Sequence, residues 1–323
     1  MAERDLIRQL DQAADALLAG STPQAGPEVT ELLTIASWVR DLPAAEFKAA
    51  LRSELMTEIE RSRNMSTTVT QPKPTWTPAG FHTLTPYLLV ADAAAQIEFL
   101  KRVFGAEEMG RYPAPDGSRI MHAEVKLGDS VIEMGEPPKP DQRPTPLHVY
   151  VPDVDAVYAR GLEAGAKSLY PPSDHEYGER GASFADAEGN HWYLATAKGA
   201  HYIPEGLHSV NIYLSPRNAP TLIDFLKAAF GAEEIARHEA GGHVVHAKLR
   251  FGDSVLEMGE AHGQWQPMPC AIHYYVPNVN EAYARAIAAG GESISAPADQ
   301  AYGERSGGIR DPHGNTWYVA TRL

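Results

Sequence analysis

Imidazole and carboxylate side chains, the groups that hold cations and move protons at neutral pH, recur at one spacing in this 323-residue chain. His122, Glu124 and Glu133 fall in the stretch His122-Ala-Glu-Val-Lys-Leu-Gly-Asp-Ser-Val-Ile-Glu-Met-Gly-Glu136. The chain writes that stretch again as His246-Ala-Lys-Leu-Arg-Phe-Gly-Asp-Ser-Val-Leu-Glu-Met-Gly-Glu260. Each copy reads as two strands around a Gly-Asp turn, because apolar and polar residues alternate on both sides of it. Ala123, Val125, Leu127, Ile132 and Met134 take one face, and His122, Glu124 and Glu133 take the other. A hairpin open to water would carry ordinary charges there, and one lining a concave cup would carry a ligand-binding constellation.

The surrounding strands decide between these. In Leu147-His-Val-Tyr-Val151 the aliphatics point to the core, leaving His148 and Tyr150 opposite. The same reading puts Thr85 and Tyr87, and His191 and Tyr193, on the free face of the first half. The second half collects Asn211, Tyr213, His246, Lys248, Glu257, His273, Tyr275, Thr316 and Tyr318. His, Glu and Tyr recur on the same strands in both copies, and a polar-aromatic pocket accounts for that better than a solvated face.

The elements that must carry these residues are themselves repeated. Residues 80–197 match 206–323: Phe104-Gly-Ala-Glu-Glu108 returns as Phe230-Gly-Ala-Glu-Glu234, Tyr177-Gly-Glu-Arg180 as Tyr302-Gly-Glu-Arg305, and Asp186-Ala-Glu-Gly-Asn190 as Asp311-Pro-His-Gly-Asn315. A period of about 125 residues denotes whole domains rather than solenoid repeats. Each half holds two βαβββ units, with helices predicted over Ala93–Phe104 and Val154–Ala164. The predicted fold is α+β: an N-terminal helical hairpin (1–62), a Thr/Pro-rich linker (63–79), and two domains (80–198 and 199–323) whose four units form cupped mixed sheets. The halves are expected to pack as a pseudo-dimer within one chain. The hairpin at 1–62 shows no catalytic spacing and is read as docking on the body or on a protein partner.

Composition bounds the rest. A net charge of −14 excludes nucleic-acid backbones and anionic membranes as main partners. The single cysteine, Cys270, leaves no internal disulfide and reads as a small buried residue. No long apolar run or secretory leader is present, so the expected location is cytoplasmic.

The βαβββ unit, Phe-Gly-Ala-Glu-Glu after the first helix, the Gly-Asp-Ser hairpin, Tyr-Gly-Glu-Arg and the terminal Asp-x-x-Gly-Asn-x-Trp-Tyr-x-Ala-Thr resemble the vicinal-oxygen-chelate superfamily of glyoxalases, bleomycin-resistance proteins and extradiol dioxygenases, most closely its PhnB-like branch. The resemblance covers 80–323. It implies a divalent ion (Zn, Ni, Mn or Fe) held by four positions, which read Thr85, Glu133, His148 and Tyr193 in the first half and Asn211, Glu257, His273 and Tyr318 in the second. The inner two of each set, Glu133 with His148 and Glu257 with His273, are the metal candidates; the outer two depart from the pattern. Superfamily members also assemble sites across domains, which would bring Glu133 to His273 and Glu257 to His148, with His122 and His246 beside the carboxylates. The preferred reading is metal-independent sequestration of an aromatic or cationic small molecule. The alternatives are a divalent-metal-dependent lyase, isomerase or transferase, and a metabolite-sensing adaptor acting through the N-terminal helices. Arg180 and Arg305 are candidates for clamping an anion at the cup rim.

Overall fold

A computed structural model of the chain describes residues 76–137, 143–263 and 265–323. The helical hairpin expected over 1–62 lies outside the described residues, as does most of the linker. Of the linker residues described, 76–79, Thr77 is buried and Ala79 is exposed. Trp76 sits against a cluster of Phe81, Val131, Tyr275 and Ala320, and its carbonyl accepts from the Arg322 amide at 3.1 Å.

The first half runs β1 (Leu84–Leu89), α1 (Ala93–Phe104), β2 (Glu107–Pro113), β3 (Ile120–Leu127), β4 (Ser130–Gly135), β5 (Pro146–Tyr150), α2 (Val154–Glu163), β6 (Lys167–His175), β7 (Glu179–Ala185) and β8 (His191–Ala197). The second repeats it as β9 (Val210–Leu214), α3 (Ala219–Phe230), β10 (Glu233–Ala240), β11 (His243–Phe251), β12 (Ser254–Met258), β13 (Ala271–Tyr275), α4 (Val279–Ala288), β14 (Glu292–Asp299), β15 (Glu304–Arg310) and β16 (Thr316–Arg322). The repeated sequence punctuation has a direct local cause. The Asp92 side chain caps α1 by accepting from the Ala95 amide, and Gly105 stops the helix in a left-handed conformation, φ 69°. Asn218 and Gly231 do the same for α3.

The two halves share both sheets. One sheet has the order β2-β3-β4-β1-β13-β16-β15-β14, and the other β10-β11-β12-β9-β5-β8-β7-β6. The first unit of each half therefore pairs edge to edge with the second unit of the other. The seams are antiparallel, with Thr85 opposite His273 in one sheet and His148 opposite Asn211 in the other. The apolar cores, by contrast, form almost entirely within a half. Leu88, Ile97, Leu147, Phe184 and Trp192 pack together in the first, and Leu222, Phe230, Ile272 and Trp317 in the second. Each half is a core unit, and each sheet is a joint product of both.

The Gly-Asp-Ser hairpin turns hold that arrangement. The Asp129 carboxylate accepts from the Ser209 amide at 2.8 Å and from His208 Nδ1 at 3.1 Å, while Ser130 Oγ accepts from the Val210 amide. Reciprocally, Asp253 accepts from the Thr83 amide at 2.8 Å and meets His82 at 3.0 Å, and Ser254 Oγ accepts from the Leu84 amide. His82 and His208 stack at the junction, ring centres 3.5 Å apart. Gly128, at φ +61°, lies so close to the opposite half that a Cβ there would stand 2.1 Å from Ser209 Oγ. The turn is thus also a clasp between halves.

Candidate functional site

Side chains that alternation assigned to the free faces converge in two cups, one on each sheet. Cup 1 takes Thr85, Tyr87, His122, Glu124 and Glu133 from the first half and His273, Tyr275 and Tyr318 from the second. Cup 2 takes Asn211, Tyr213, His246, Lys248 and Glu257 from the second half and His148, Tyr150 and Tyr193 from the first. Register fixes the neighbours: Tyr87 lies beside Glu133 and His273 beside Tyr318, as Tyr213 lies beside Glu257 and His148 beside Tyr193.

The same-half sets Thr85–Glu133–His148–Tyr193 and Asn211–Glu257–His273–Tyr318 do not assemble. His273 Nδ1 lies 2.8 Å from Glu133 Oε2, and His148 Nδ1 lies 2.5 Å from Glu257 Oε2. Each pair joins one half to the other, because the sheet seam puts β13 beside β1 and β5 beside β9. Both carboxylates are nearly inaccessible, Glu133 at 2% and Glu257 at 1%. Burial opposes charging His148 and His273, but the facing carboxylates outweigh it and hold both imidazoles above their usual range. Burial likewise works against the Glu257 carboxylate, yet His148 and Lys248 bring it down to about 2. Cup 2 therefore rests on a charged His–Glu pair.

The outer positions are engaged elsewhere. Thr85 Oγ1 donates to the His82 carbonyl at 3.3 Å. Asn211 accepts from the His208 amide and donates to the His208 carbonyl. The tyrosines form the walls: Tyr87 and Tyr318 ring centres stand 5.3 Å apart in cup 1, and Tyr193 and Tyr213 stand 5.1 Å apart in cup 2. Burial pushes the Tyr193 hydroxyl up to about 12 and raises Tyr87 and Tyr213 as well, so these hydroxyls stay protonated hydrogen-bond donors. Gly135 and Gly259 leave room for the tyrosines, since a Cβ would come within 2.9 Å of Tyr87 Oη and 2.4 Å of Tyr213 Oη.

Arg180 and Arg305 do not reach the cups. On β7 and β15 they alternate with Glu179 and Glu304 and take the opposite face. Arg180 is held by Asp155 on α2 and by Asp174, and Arg305 by Asp299 and Asn280. The inward residues of Tyr-Gly-Glu-Arg are the glutamates, which sequence reasoning missed although the same alternation exposes them. Glu179 Oε1 accepts from Tyr150 Oη at 2.8 Å, and Glu304 Oε1 from Tyr275 Oη at 3.1 Å. Burial, reinforced by the charge on Glu133, raises the Glu304 carboxyl above its usual range.

Two groups of side chains among the described residues have cation-holding spacing. His122, Glu124 and Glu133 present donor atoms within 4.8 Å of one another. His122 Nε2 stands 3.2 Å from Glu124 Oε1 and 3.8 Å from Glu133 Oε1. Two histidine or carboxylate neighbours and a third donor are what an open divalent site requires. His82, Asp129 and His208 are equally close, but their donor atoms are consumed by the clasp, with His82 Nε2 and His208 Nε2 turned to the Asp129 and Asp253 carbonyls.

A cleft of about 440 Å³ is lined by Tyr193 together with Pro144, Leu169, His191, Trp265 and Met268 among others. No helix of the described residues is long and apolar enough to cross a membrane.

Comparison with known proteins agrees with this architecture. The sequence model of the Glyoxalase/Bleomycin resistance protein/Dioxygenase superfamily matches residues 80–194 and again 207–319. An uncharacterized protein of Mycobacterium bovis, Mb0911c, is 38% identical over 123 residues, which is 34% of this chain and 80% of its own. Glyoxalase I from Zea mays superposes with a TM-score of 0.57 at 16% identity, covering 73% of this chain and 92% of its own. A putative dioxygenase from Bacillus subtilis gives 0.51 at 14% identity, covering 73% and 83%. At such identities the structural likeness concerns the fold alone.

Proposed function

Since the chain belongs to the Glyoxalase/Bleomycin resistance protein/Dioxygenase superfamily, we propose that it is a small-molecule-binding protein with two cups, each taking a planar aromatic or cationic compound. The observation that carries this reading is the repeated pairing of two tyrosine rings with a buried carboxylate–imidazole pair. The rings offer faces for stacking and for a cation, worth roughly 0.5–2 kcal/mol each, and the tyrosine hydroxyls orient the ligand. Sequestration without turnover is favoured because Thr85 and Asn211, at the outer ligand positions of the superfamily, spend their side chains on the His82 and His208 backbone.

The test is a thermal-shift screen of aromatic, cationic and zwitterionic compounds against the full chain, repeated on Tyr87→Ala and Tyr193→Ala. A hit whose shift disappears in one of these variants supports the reading. A panel with no hit, or hits indifferent to both variants, sinks it.

A second reading, metal-dependent chemistry, is favoured by one observation confined to cup 1, the grouping of His122, Glu124 and Glu133. Those three residues would hold a divalent ion, which would supply Lewis-acid polarisation of a substrate oxygen. Tyr87 and Tyr318 would position the substrate. Glu304, whose Oε2 meets His273 Nε2 at 3.5 Å and whose carboxyl is raised above its usual range by burial, would take up a substrate proton. Turnover of a chelating substrate that stops on removing divalent ions and is lost in Glu304→Gln would favour this reading over sequestration.

A further inference from the structure

The two cups differ at one register position that faces their central carboxylates. On the hairpin of cup 1, Glu124 lies directly opposite Glu133. On the hairpin of cup 2, the same place holds Lys248, directly opposite Glu257. Like charges directly across an antiparallel pair oppose each other, and opposite charges support each other. In cup 2 the matter is settled internally, with Lys248 Nζ 3.1 Å from Glu257 Oε1 while His148 takes Oε2. Both oxygens of Glu257 face a cationic or donor group supplied by the protein.

Cup 1 has no lysine at that position, where Glu124 stands instead. His273 takes Glu133 Oε2, but among the described residues Glu133 Oε1 and Glu124 Oε1 share only the His122 ring, at 3.8 and 3.2 Å. An independent observation points the same way. Among the described residues Glu304 Oε2, on a residue only 8% accessible, makes no hydrogen bond and meets only His273 Nε2, in an ion pair at 3.5 Å, so the one imidazole serves two buried carboxylates, Glu133 and Glu304. Buried polar atoms are nearly always satisfied by protein, water or an ion. Cup 1 therefore contains more acceptors than the protein itself answers.

We propose that the chain binds one divalent cation per molecule, in cup 1 through His122, Glu124 and Glu133, and that Lys248 is the fixed cation that takes the ion's place in cup 2. The inference rests on the metal reading above and deepens it: one cup is ion-dependent and the other is not. The duplicated site has become two sites with different ligand requirements.

The experiment is metal stoichiometry of the tag-free full chain, by titration calorimetry with Zn²⁺, Ni²⁺ and Mn²⁺ and by elemental analysis after dialysis. Wild type should show one ion. Glu124→Lys and the milder Glu124→Gln should lose it, and Lys248→Glu should gain a second, with circular dichroism confirming that each variant folds. Asp129→Asn, in the clasp, should keep the single ion. Two ions in wild type, an ion retained by both Glu124 variants, or an ion lost only in Asp129→Asn would overturn the assignment while leaving metal binding standing. A single ion in Lys248→Glu would remove the role given to the lysine. No ion in wild type or any variant would overturn the metal reading itself.

Discussion

The clasp between halves makes a quantitative prediction at Gly128. Its φ of +61° is a left-handed conformation, and an added Cβ would stand 2.1 Å from Ser209 Oγ and 2.8 Å from Ser209 Cβ. Gly128→Ala therefore carries two costs. The backbone conformation costs an L-residue about 1–2 kcal/mol. Relief of the clash must push Ser209 away, which endangers the 2.8 Å bond from its amide to the Asp129 carboxylate; a charge-assisted bond of this kind contributes about 1.5–3 kcal/mol. Together the loss is about 3–5 kcal/mol, which for a body of this size lowers the melting temperature by about 8–15 °C. Gly105 is the internal control. Its φ of +69° is similar, but a Cβ there would meet nothing within 4 Å. Gly105→Ala should cost only the backbone contribution, about 1–2 kcal/mol and a few degrees. The assay is calorimetric melting of both variants beside wild type. Equal shifts in the two would refute the claim that the hairpin turn clasps the halves, since only Gly128 touches the opposite one.

Other outcomes follow from the same contacts. Stability should peak in mildly acidic solution if the clasp matters, because two opposed titrations bound it. Burial opposes but His208 and the Ser209 amide outweigh it in depressing Asp129, as His82 and the Thr83 amide do for Asp253; that contribution is present above the unfolded carboxyl value near pH 4 and is lost as pH falls through the folded ones. His208 is raised, burial notwithstanding, by Asp129 and the Asp253 carbonyl, so its contribution is complete below the unfolded imidazole value of about 6.5 and is lost as pH rises through the folded one. Urea midpoints between about pH 3 and pH 9 should show both limbs, and Asp129→Asn should flatten them. Asp186→Ala should destabilise by about 3–5 kcal/mol, since its buried carboxylate accepts from Gln96, the Asn190 amide and side chain, and Trp192, and four donors would lose their partner; chemical denaturation measures it. Gly135→Ala should strain the hairpin at the Met121 carbonyl, 2.5 Å from an added Cβ, as well as displace Tyr87, and so weaken a cup 1 ligand at least about tenfold, the worth of one aromatic contact, while leaving cup 2 ligands unaffected in a competition assay. Arg180→Ala should change neither ligand binding nor the melting temperature measurably, its ion pairs being exposed.

Much of this was readable in the residues. Helix α1 begins and ends where its apolar stripe, Asp92 and Gly105 require, and strand alternation sorted His148, Tyr150, Tyr193, His273 and Tyr318 onto the free faces. Alternation says which face a side chain takes; it does not say which strand comes next beyond the edge of a unit. Strand β1 is free to pair with β5 or with β13, which carry nearly the same pattern, and only the folded chain distinguishes a Glu133–His148 pair from a Glu133–His273 pair. The arginines of Tyr-Gly-Glu-Arg drew attention as anion clamps because guanidinium suits anions, while the glutamate one position earlier faces the cup. Trp76 was hidden inside a Thr/Pro-rich stretch whose composition speaks for a linker, although a large ring beside Phe81 can anchor that stretch. Asp186 and Asp311 open Asp-x-x-Gly-Asn stretches whose composition speaks only for a turn; their place under buried tryptophans is a matter of tertiary packing.

The shared sheets bear on how the two cups came to differ. Two separate copies of the first half, arranged in the same way, would build two identical cups, each with Thr85, Glu133, His148 and Tyr193, and any substitution would appear in both. Joining two halves in one chain ends that constraint. A change at one hairpin now alters one cup, and the difference between Glu124 and Lys248 is a change of that kind. Because every cup still draws on both halves, neither copy can be discarded without losing both sites. Duplication has freed the sites to diverge while binding them to a common fate.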